Sequence, residues 1–346
     1  EKQLGGMANR LHHTIEGRDI RAYLKGLIDK ANAHEKIEII TDATITGFSG
    51  YKGNFTTHLA TGADAGEHSI NHGVIIVATG AKEYQPIEYL YPESDRVVTQ
   101  VELSDRLEEK GAADLDSVVM IQCVDSREEP RNYCSRICCD TSLKDALCLK
   151  GQNPDIDIYI FYRDIMAYGF VESYYTQARK AGVIFIPYDV AEKPQVTVTD
   201  GSIQVTAPEP IIGQKVRLDA DLVVLATGIV PTLPGDLAEA FCVTVDQDGF
   251  FQEAEPKWRP VDSIKEGIFA CGLAHSPRNI AESIATARAA SQRALRILCH
   301  EQMPSGKIVA EIHHSLCSLC EQCIDACPYG ARTLDLDLEK VIINPA

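Results

Sequence analysis

Four cysteines near the C-terminal end have a spacing that strongly limits what this part of the chain can fold into. Two residues separate Cys317 from Cys320, two separate Cys320 from Cys323, and three separate Cys323 from Cys327, which is followed by Pro328. Thiolates at these separations can converge on one [4Fe–4S] cluster, and the proline after the fourth cysteine is typical of such runs. A zinc knuckle is the alternative that four thiolates leave open. The spacing favours the iron–sulfur cluster.

Composition narrows the class of protein. Lys and Arg number 33 against 50 Asp and Glu, and the net charge of −17 argues against a nucleic-acid partner. Phosphorylated cofactors remain possible, because backbone N–H groups can hold them without basic side chains. No apolar run approaches the roughly 20 residues of a membrane span, and no signal peptide opens the chain. With twelve cysteines, these features predict a cytoplasmic, metal-binding or redox protein.

Hydrophobic patterning predicts an α/β fold with a parallel, doubly wound sheet, because strands and helices alternate at short intervals. An amphipathic helix at 18–34 and a long helix at 281–298 stand near the two ends of this pattern. The sequence QVTVTDGSIQVTA predicts a hairpin that turns at Asp200 and Gly201, and MPSGK predicts a linker. The other predicted elements are a helix at 171–182 and strands at 37–40, 42–50, 54–61, 73–81, 114–126, 156–164, 183–189 and 220–231.

A second group of cysteines follows the predicted buried strand at 114–126: Cys123, Cys134, Cys138 and Cys139. Spacing alone leaves metal binding and inert thiols both open, because vicinal cysteines are unusual ligands. A nicotinamide site is not expected in this unit. A dinucleotide-binding strand runs into Gly-x-Gly-x-x-Gly, so that the backbone can approach the pyrophosphate, whereas this strand runs into side chains.

Three further segments together resemble the FAD half of thioredoxin-reductase-like flavoproteins: KQLGG near the start, GVIIVATGA, and GIFACGLAHSPRNIA before the long helix. In that family the late glycine packs on the ribityl and pyrophosphate, and the helix N-terminus faces the flavin ring. The family's glycine-rich phosphate loop would precede Glu1, so we expect that the chain begins inside a βαβ unit. The FAD contacts implied are Gly5, Gly6, Met7, Ile45, Ala78, Thr79, Gly80, Gly272, Leu273, Asn279, Ile280 and Ala281.

Taken together, these features resemble the A-type subunit of heterodisulfide reductase and its bacterial homologues. The most specific match is IQCVDSREEPRNYCSRICC, which is similar to that family's Cys-Val-Gly-Ser-Arg…Tyr-Cys-Ser-Arg-x-Cys-Cys signature, with Asp125 at the position of the usual glycine. The resemblance implies that Cys123, Cys134, Cys138 and Cys139 bind a [4Fe–4S] cluster near the FAD. Two clusters are then expected, and the catalytic group is the FAD itself.

The resemblance also implies a domain plan, a thioredoxin-reductase-like two-domain flavoprotein with a C-terminal ferredoxin-like module. Residues 1–114 would form the first part of the FAD-binding domain, without its phosphate loop, and 232–300 the second part. Residues 115–231 would form a unit like an NAD domain that carries the four-cysteine site, and 301–346 the [4Fe–4S] module. Whether Cys327 closes its own cluster or binds a neighbouring one stays open.

The function that the resemblance implies is an electron-transferring, and electron-bifurcating, component of a heterodisulfide-reductase-type complex. Its partners would be B- and C-like subunits, a donor of the hydrogenase or formate dehydrogenase type, and ferredoxin, within a dimer of a multi-subunit complex. The alternatives are a component of a quinone-linked sulfur pathway or of an aromatic acyl-CoA reductase, and a cluster-bearing adaptor without flavin. A stand-alone NAD(P)H:disulfide oxidoreductase would need the missing glycine fingerprint and a nearby cysteine pair.

Overall fold

A computed structural model describes residues 1–62, 67–199, 201–232, 235–302, 310–327, 330–336 and 338–343. The chain forms two compact units, and each takes in several segments of the sequence. The first unit comprises Glu1–Ile39, Gly80–Thr232 and Ser276–Ser283. The second comprises Ile40–Thr79, Leu233–His275 and Ile284–Ala346.

The helices are α1 (Ile20–Asn32), α2 (Gln100–Glu109), α3 (Cys138–Gln152), α4 (Glu172–Lys180), α5 (Gly235–Ala240), α6 (Ile280–Leu298) and α7 (Gln322–Asp325). The strands are β1 (Ala43–Tyr51), β2 (Asn54–Thr61), β3 (Glu67–His72), β4 (Ile75–Val77), β5 (Ala81–Glu83), β6 (Val97–Thr99), β7 (Ser117–Val124), β8 (Asp157–Tyr162), β9 (Ile184–Pro187), β10 (Gln195–Thr199), β11 (Ser202–Glu209), β12 (Gln214–Ala220), β13 (Leu222–Thr227), β14 (Ile229–Pro231), β15 (Ile268–Ala270), β16 (Arg332–Asp335) and β17 (Lys340–Ile343).

A five-stranded parallel sheet is the centre of the first unit, with strand order β6-β13-β7-β8-β9. β7 and β13 are mostly apolar and almost wholly buried, as expected for central strands that are covered on both faces. Successive side chains of β7 enter different cores: Val118 and Met120 pack against the helices, whereas Val119 and Ile121 pack on the opposite face. The predicted parallel α/β sheet is confirmed.

The two faces of this sheet are covered differently. Leu103 and Leu107 of α2 and Leu143 and Leu149 of α3 pack on one face. The other face packs against the antiparallel sheet β10-β11-β12, which contributes residues such as Ile203 of β11. The predicted hairpin is formed by β10 and β11, with Thr199 opposite Ser202. Asp200 lies outside the described residues.

The second unit combines an antiparallel sheet, β1-β2-β3, with the parallel pair β4 and β15 and the hairpin β16-β17. Phe55 of β2 is fully buried, and the Phe48 ring lies 5.1 Å from it and 5.1 Å from the Phe241 ring. Together with α5 and β15, these rings form a separate apolar core. Along α6, Ala290 and Ala294 are buried against Phe269, so small side chains allow close packing.

Two sequence-based expectations for the strands are corrected. Residues 37–40 do not form a strand, because this short apolar run has no pairing partner among the described residues, and Ile37 is half-exposed. The predicted buried strand at 73–81 is reduced to β4, which pairs with β15 alone among the described residues and leaves Ile76 exposed. The MPSGK linker at 303–307 lies in the part of the chain that is not described. Within the described ranges, no helix has both the length and the apolar character needed to cross a bilayer.

Candidate cluster and flavin sites

The first group of cysteines, here called the buried quartet, comprises Cys123, Cys134, Cys138 and Cys139. Cys123 lies near the end of β7, Cys134 lies in the following loop, and Cys138 and Cys139 are the first two residues of α3. Cys123, Cys138 and Cys139 are buried and Cys134 is half-buried, and all four are free thiols. The thiols of Cys139, Cys123 and Cys134 each raise the pKa of Cys138. Because this effect requires short distances, the four sulfurs lie near one another.

The spacing of these sulfurs is not that of a single-ion site. Within the described ranges, no three His, Cys, Asp or Glu side chains converge closely enough to hold one metal ion. A [4Fe–4S] cluster does not require that convergence, because each of its four thiolates binds a different iron. The fit of the buried quartet to a cluster therefore rests on the charge and burial of its sulfurs.

Burial and the neighbouring sulfurs shift the pKa values of these thiols. Burial raises the pKa of Cys123 to about 11, and the Cys139 sulfur adds to the rise. Interaction between the two vicinal thiols raises the pKa of Cys138 and lowers that of Cys139. Metal binding replaces cysteine protons and supplies the missing positive charge. Four adjacent sulfurs, three of them buried, therefore fit an iron–sulfur cluster.

The loop between β7 and α3 is held by its own polar contacts. Asp125 has a left-handed backbone, with φ of 51°, and its carboxylate is paired with Arg131. The Ser126 hydroxyl donates to the Tyr133 carbonyl over 2.8 Å, and the backbone N–H of Arg127 also donates to that carbonyl over 3.1 Å. The family's glycine position thus carries an aspartate whose side chain is used to close the loop.

β13 runs into Ala226-Thr227-Gly228, which repeats the Ala-Thr-Gly that follows β4, and no role was assigned to this repeat from the sequence alone. A Cβ added to Gly228 would lie 3.3 Å from the Asp125 carbonyl oxygen and 3.4 Å from the Ser135 hydroxyl oxygen. The next residue, Ile229, donates its N–H to the Ser135 hydroxyl at 2.8 Å, and its carbonyl accepts from the Tyr133 hydroxyl at 2.7 Å. Gly228 therefore lets β13 approach the cysteine loop closely, and the repeated motif was the signal.

A buried polar network behind Cys138 was also missed. Gln100 is the first residue of α2, and its Nε2 donates to the Cys138 carbonyl at 2.8 Å and to the Ser142 hydroxyl at 2.7 Å. Gln122 on β7 also donates to Ser142, and the Tyr188 hydroxyl donates to the Gln122 carbonyl at 2.6 Å. Two glutamines inside apolar segments were the only sequence signal.

The second group, here called the exposed quartet, comprises Cys317, Cys320, Cys323 and Cys327. All four lie in one short segment around α7, where Cys320 is exposed and the other three are half-buried. A hydrogen bond from the Gln322 backbone lowers the pKa of Cys320 most, and a hydrogen bond from the Ser318 hydroxyl lowers it further. Hydrogen bonds to the sulfurs are among the factors that set the reduction potential of an iron–sulfur cluster. Pro328 lies outside the described residues.

Seven of the predicted FAD contacts belong to the first unit. Gly80 has φ of 76° and open space where a Cβ would lie, so its backbone is accessible. The Asn279 side chain accepts from the Glu282 N–H at 2.9 Å, while Glu282 accepts from the Asn279 N–H at 3.3 Å. These two bonds cap α6. The other five predicted contacts of this unit are Gly5 and Gly6, in a left-handed turn, then Met7, Ile280 and Ala281.

The other five predicted FAD contacts belong to the second unit: Ile45, Ala78, Thr79, Gly272 and Leu273. Ala78 and Thr79 are exposed directly after β4, and Gly272 follows β15 by two residues. Val77 accepts a hydrogen bond from the Cys271 N–H at 3.1 Å, so the carboxyl ends of both parallel strands meet. Ligands of open α/β sheets bind outside such ends, and this exposed backbone fits FAD. The predicted contacts remain predictions.

Comparisons with known proteins agree with this geometry. A family model described as a 4Fe-4S binding domain matches residues 310–333, which include the exposed quartet. The A-type subunit of the H(2):CoB-CoM heterodisulfide,ferredoxin reductase of Methanothermobacter thermautotrophicus is 34% identical over 291 residues, which cover 78% of this chain and 43% of that protein. The A-type subunit of the H(2)/formate:CoB-CoM heterodisulfide,ferredoxin reductase of Methanococcus maripaludis is 33% identical over 291 residues, with coverages of 78% and 44%.

Among solved structures, the thioredoxin reductase of T. acidophilum matches with a TM-score of 0.55 and 15% identity, covering 86% of this chain and 88% of that one. At this identity the match shows the fold, which is that of thioredoxin-reductase-like proteins. The chain spans about two fifths of the length of the two curated relatives. Fold, cluster module and sequence identity agree, and the chain belongs to the family of A-type heterodisulfide reductase subunits, which are components of oxidoreductases.

Proposed function

We propose that this chain is an electron-transfer subunit that binds FAD and two [4Fe–4S] clusters in a cytoplasmic complex of the heterodisulfide reductase type. The observation that carries the proposal is the buried quartet, which lies at the end of a central parallel strand of a thioredoxin-reductase-like fold. When bound, FAD would exchange electron pairs and each cluster would exchange single electrons. Membership in the family supports the combination of these groups.

The residues of the first unit have a defined role in this proposal. Cys123, Cys134, Cys138 and Cys139 would hold one cluster, and the surrounding protein would exclude water from it, because three of the four sulfurs are buried. The first-turn dipole of α3 lies at the vicinal pair and favours negative charge there. Exclusion of water and the fixed dipole of α3 would together keep the cluster's electron from reacting with solvent.

In the second unit, Cys317, Cys320, Cys323 and Cys327 would hold the other cluster on an accessible segment. Accessibility suits exchange of single electrons with another protein. We propose that the partners are B- and C-like subunits, a donor of the hydrogenase or formate dehydrogenase type, and ferredoxin. The names of the relatives, which include hydrogen, formate, ferredoxin and heterodisulfide, support these classes. Splitting of electron pairs and dimerisation of the complex belong to the same proposal.

The geometry also supports a negative expectation, namely that NADH and NADPH do not reduce this chain directly. Cys123 has φ of 58°, a conformation that favours glycine, at the end of the strand where a dinucleotide-binding turn would begin. Its side chain and that of Val124 are buried there. Backbone approach to a pyrophosphate is therefore blocked by side chains.

The test is cofactor analysis of the anaerobically purified complex. We expect acid extraction to release FAD and iron analysis to give about eight irons per chain, since each of two clusters contains four. Rapid bleaching of the flavin by NADPH without a partner subunit would contradict the negative expectation. Clusters without any flavin would instead support the adaptor, and reduction of a quinone or an aromatic acyl-CoA by the complex would support those alternatives.

A further inference from the structure

The arginines of the cysteine loop differ in what their guanidinium groups bind. Arg131 is paired with the Asp125 carboxylate. Arg136 is bound to the Glu282 carboxylate at 2.7 Å, and it also contacts the Tyr168 hydroxyl. The positive charge of each is therefore balanced by a carboxylate that lies at hydrogen-bonding distance.

Arg127 is also paired with a carboxylate, but its guanidinium reaches a cysteine sulfur as well. Its Nη1 lies 4.0 Å from the Cys123 sulfur, and its Nη2 lies 2.6 Å from the Asp164 carboxylate. The Arg127 side chain is 27% exposed, whereas that of Asp164 is 61% exposed. Arg163 donates to the Arg127 carbonyl at 3.2 Å, so the backbone below the guanidinium is also held. One guanidinium thus joins a cysteine sulfur to a solvent-exposed carboxylate.

These two charges do not cancel at the sulfur. Water screens the exposed Asp164 carboxylate more strongly than the mostly buried guanidinium, and the guanidinium lies within 4.0 Å of the Cys123 sulfur. Reduction of a cluster adds one negative charge to the four-thiolate site. Net charge and hydrogen bonds to the sulfurs are the levers by which a protein adjusts the reduction potential of such a site.

We propose that Arg127 raises the reduction potential of the cluster that the buried quartet holds, and that Asp164 partly offsets this effect. The inference rests on the proposed function, in that it requires a cluster at Cys123 and its three companions. It assigns the two side chains opposite effects. A residue that only supports the loop would have no such signature.

The test is an EPR-monitored redox titration of the full chain in which Cys320→Ser and Cys323→Ser remove two ligands of the other cluster. In this background we expect Arg127→Gln to lower the potential so that the ratio of reduced to oxidised cluster falls about tenfold at a fixed solution potential, which is 59 mV for one electron. Arg127→Lys keeps the charge and should lie between Arg127→Gln and the background. Asp164→Asn should raise the potential.

Arg179→Gln is the matched control, because it makes the same charge change on α4, where the guanidinium lies over the Tyr175 ring. Its potential should not move. The proposal is overturned if Arg127→Gln and Asp164→Asn shift the potential in the same direction, or if neither shifts it. If Arg127→Gln loses its iron, the reduction potentials of Arg127→Lys and Asp164→Asn test the proposal instead. A background chain that holds no iron at all would refute the proposed function instead.

Discussion

The two cysteine quartets of this molecule are assembled in different ways. The exposed quartet lies within one short segment, and local hydrogen bonds around α7 shape it. The buried quartet takes its members from a strand end, a loop and a helix start, and it is held by a side chain of α2 and by the backbone of β14. The first site depends on short-range chain geometry, whereas the second depends on the packed core of its unit.

This difference has consequences for stability and access. A ligand set within one segment can form with little support, but solvent reaches it. A ligand set built by the tertiary fold is shielded, but any change that loosens α2, α3 or β13 should reach it. Substitutions and chelators can therefore separate the two sites experimentally.

The largest expected effect is the loss of one cluster in Cys139→Ser. A hard oxygen ligand replaces a soft thiolate, so the buried cluster should be lost or its EPR signal changed, and about half of the iron should disappear. Iron analysis and low-temperature EPR measure this. The matched control is Cys148→Ser, which changes an exposed cysteine of the same helix. Full iron and an unchanged signal in Cys139→Ser, or cluster loss in the control, would show that the ligand assignment is wrong.

The second prediction concerns access. An iron chelator added to the anaerobic protein should release iron in two phases of similar amplitude, the fast one at least about ten times faster, because water reaches Cys320 but not Cys138. Absorbance of the iron chelate follows the release. Cys320→Ser should remove the fast phase and keep the slow one. A single phase for the unaltered chain would contradict the comparison.

Gln100→Leu should act on the buried site alone. It leaves the Cys138 carbonyl and the Ser142 hydroxyl without their shared donor, which costs about 1–3 kcal/mol in the free energy of unfolding. The slow phase of iron release should become faster, while the fast phase keeps its rate. Gln177→Leu on α4 is the control for the same chemical change on another helix of the unit. Equal acceleration of both phases would argue against a site-specific role of the network.

Gly228→Ala is expected to have the smallest effect. Its new methyl group would press on the Asp125 carbonyl and the Ser135 hydroxyl, and overpacking of this kind costs about 1 kcal/mol. Denaturant unfolding of the first unit measures the loss. Gly151→Ala, in α3, meets no atom within 4 Å and should be neutral or stabilising, because alanine favours helix. If both variants have the same free energy of unfolding, the close approach of β13 to the loop does not contribute to stability.

Sequence reasoning succeeded where the information is local. The helices at 18–34 and 281–298 were confirmed within two residues at each end, since their apolar spacing and caps are encoded in consecutive positions. It failed at 37–40, where three apolar residues suggested a strand but no neighbour among the described residues offers backbone groups to pair with. Strand formation requires a partner, and the partner is absent from a local window.

The same limit applies to the sites. Spacing alone predicted a cluster at Cys317–Cys327, because all four cysteines lie within one short segment, and a 4Fe-4S family model matches that segment. For Cys123 and Cys139 spacing left metal and inert thiols open, and only resemblance to a family chose between them. Neither spacing nor resemblance indicated that Arg127 reaches the Cys123 sulfur, or that Gln100 supports the Cys138 carbonyl.

The sequence by itself determined the parallel α/β core, through apolar runs that must be buried on both faces, and the exposed quartet, through the spacing of its thiols. The tertiary structure decided which polar groups surround the buried quartet. Gln100, Arg127 and Gly228 come from three separate segments, and they reach the cysteine loop because α2, the loop and β13 pack around β7. Contacts between distant segments depend on packing, and no pattern of neighbouring residues encodes them.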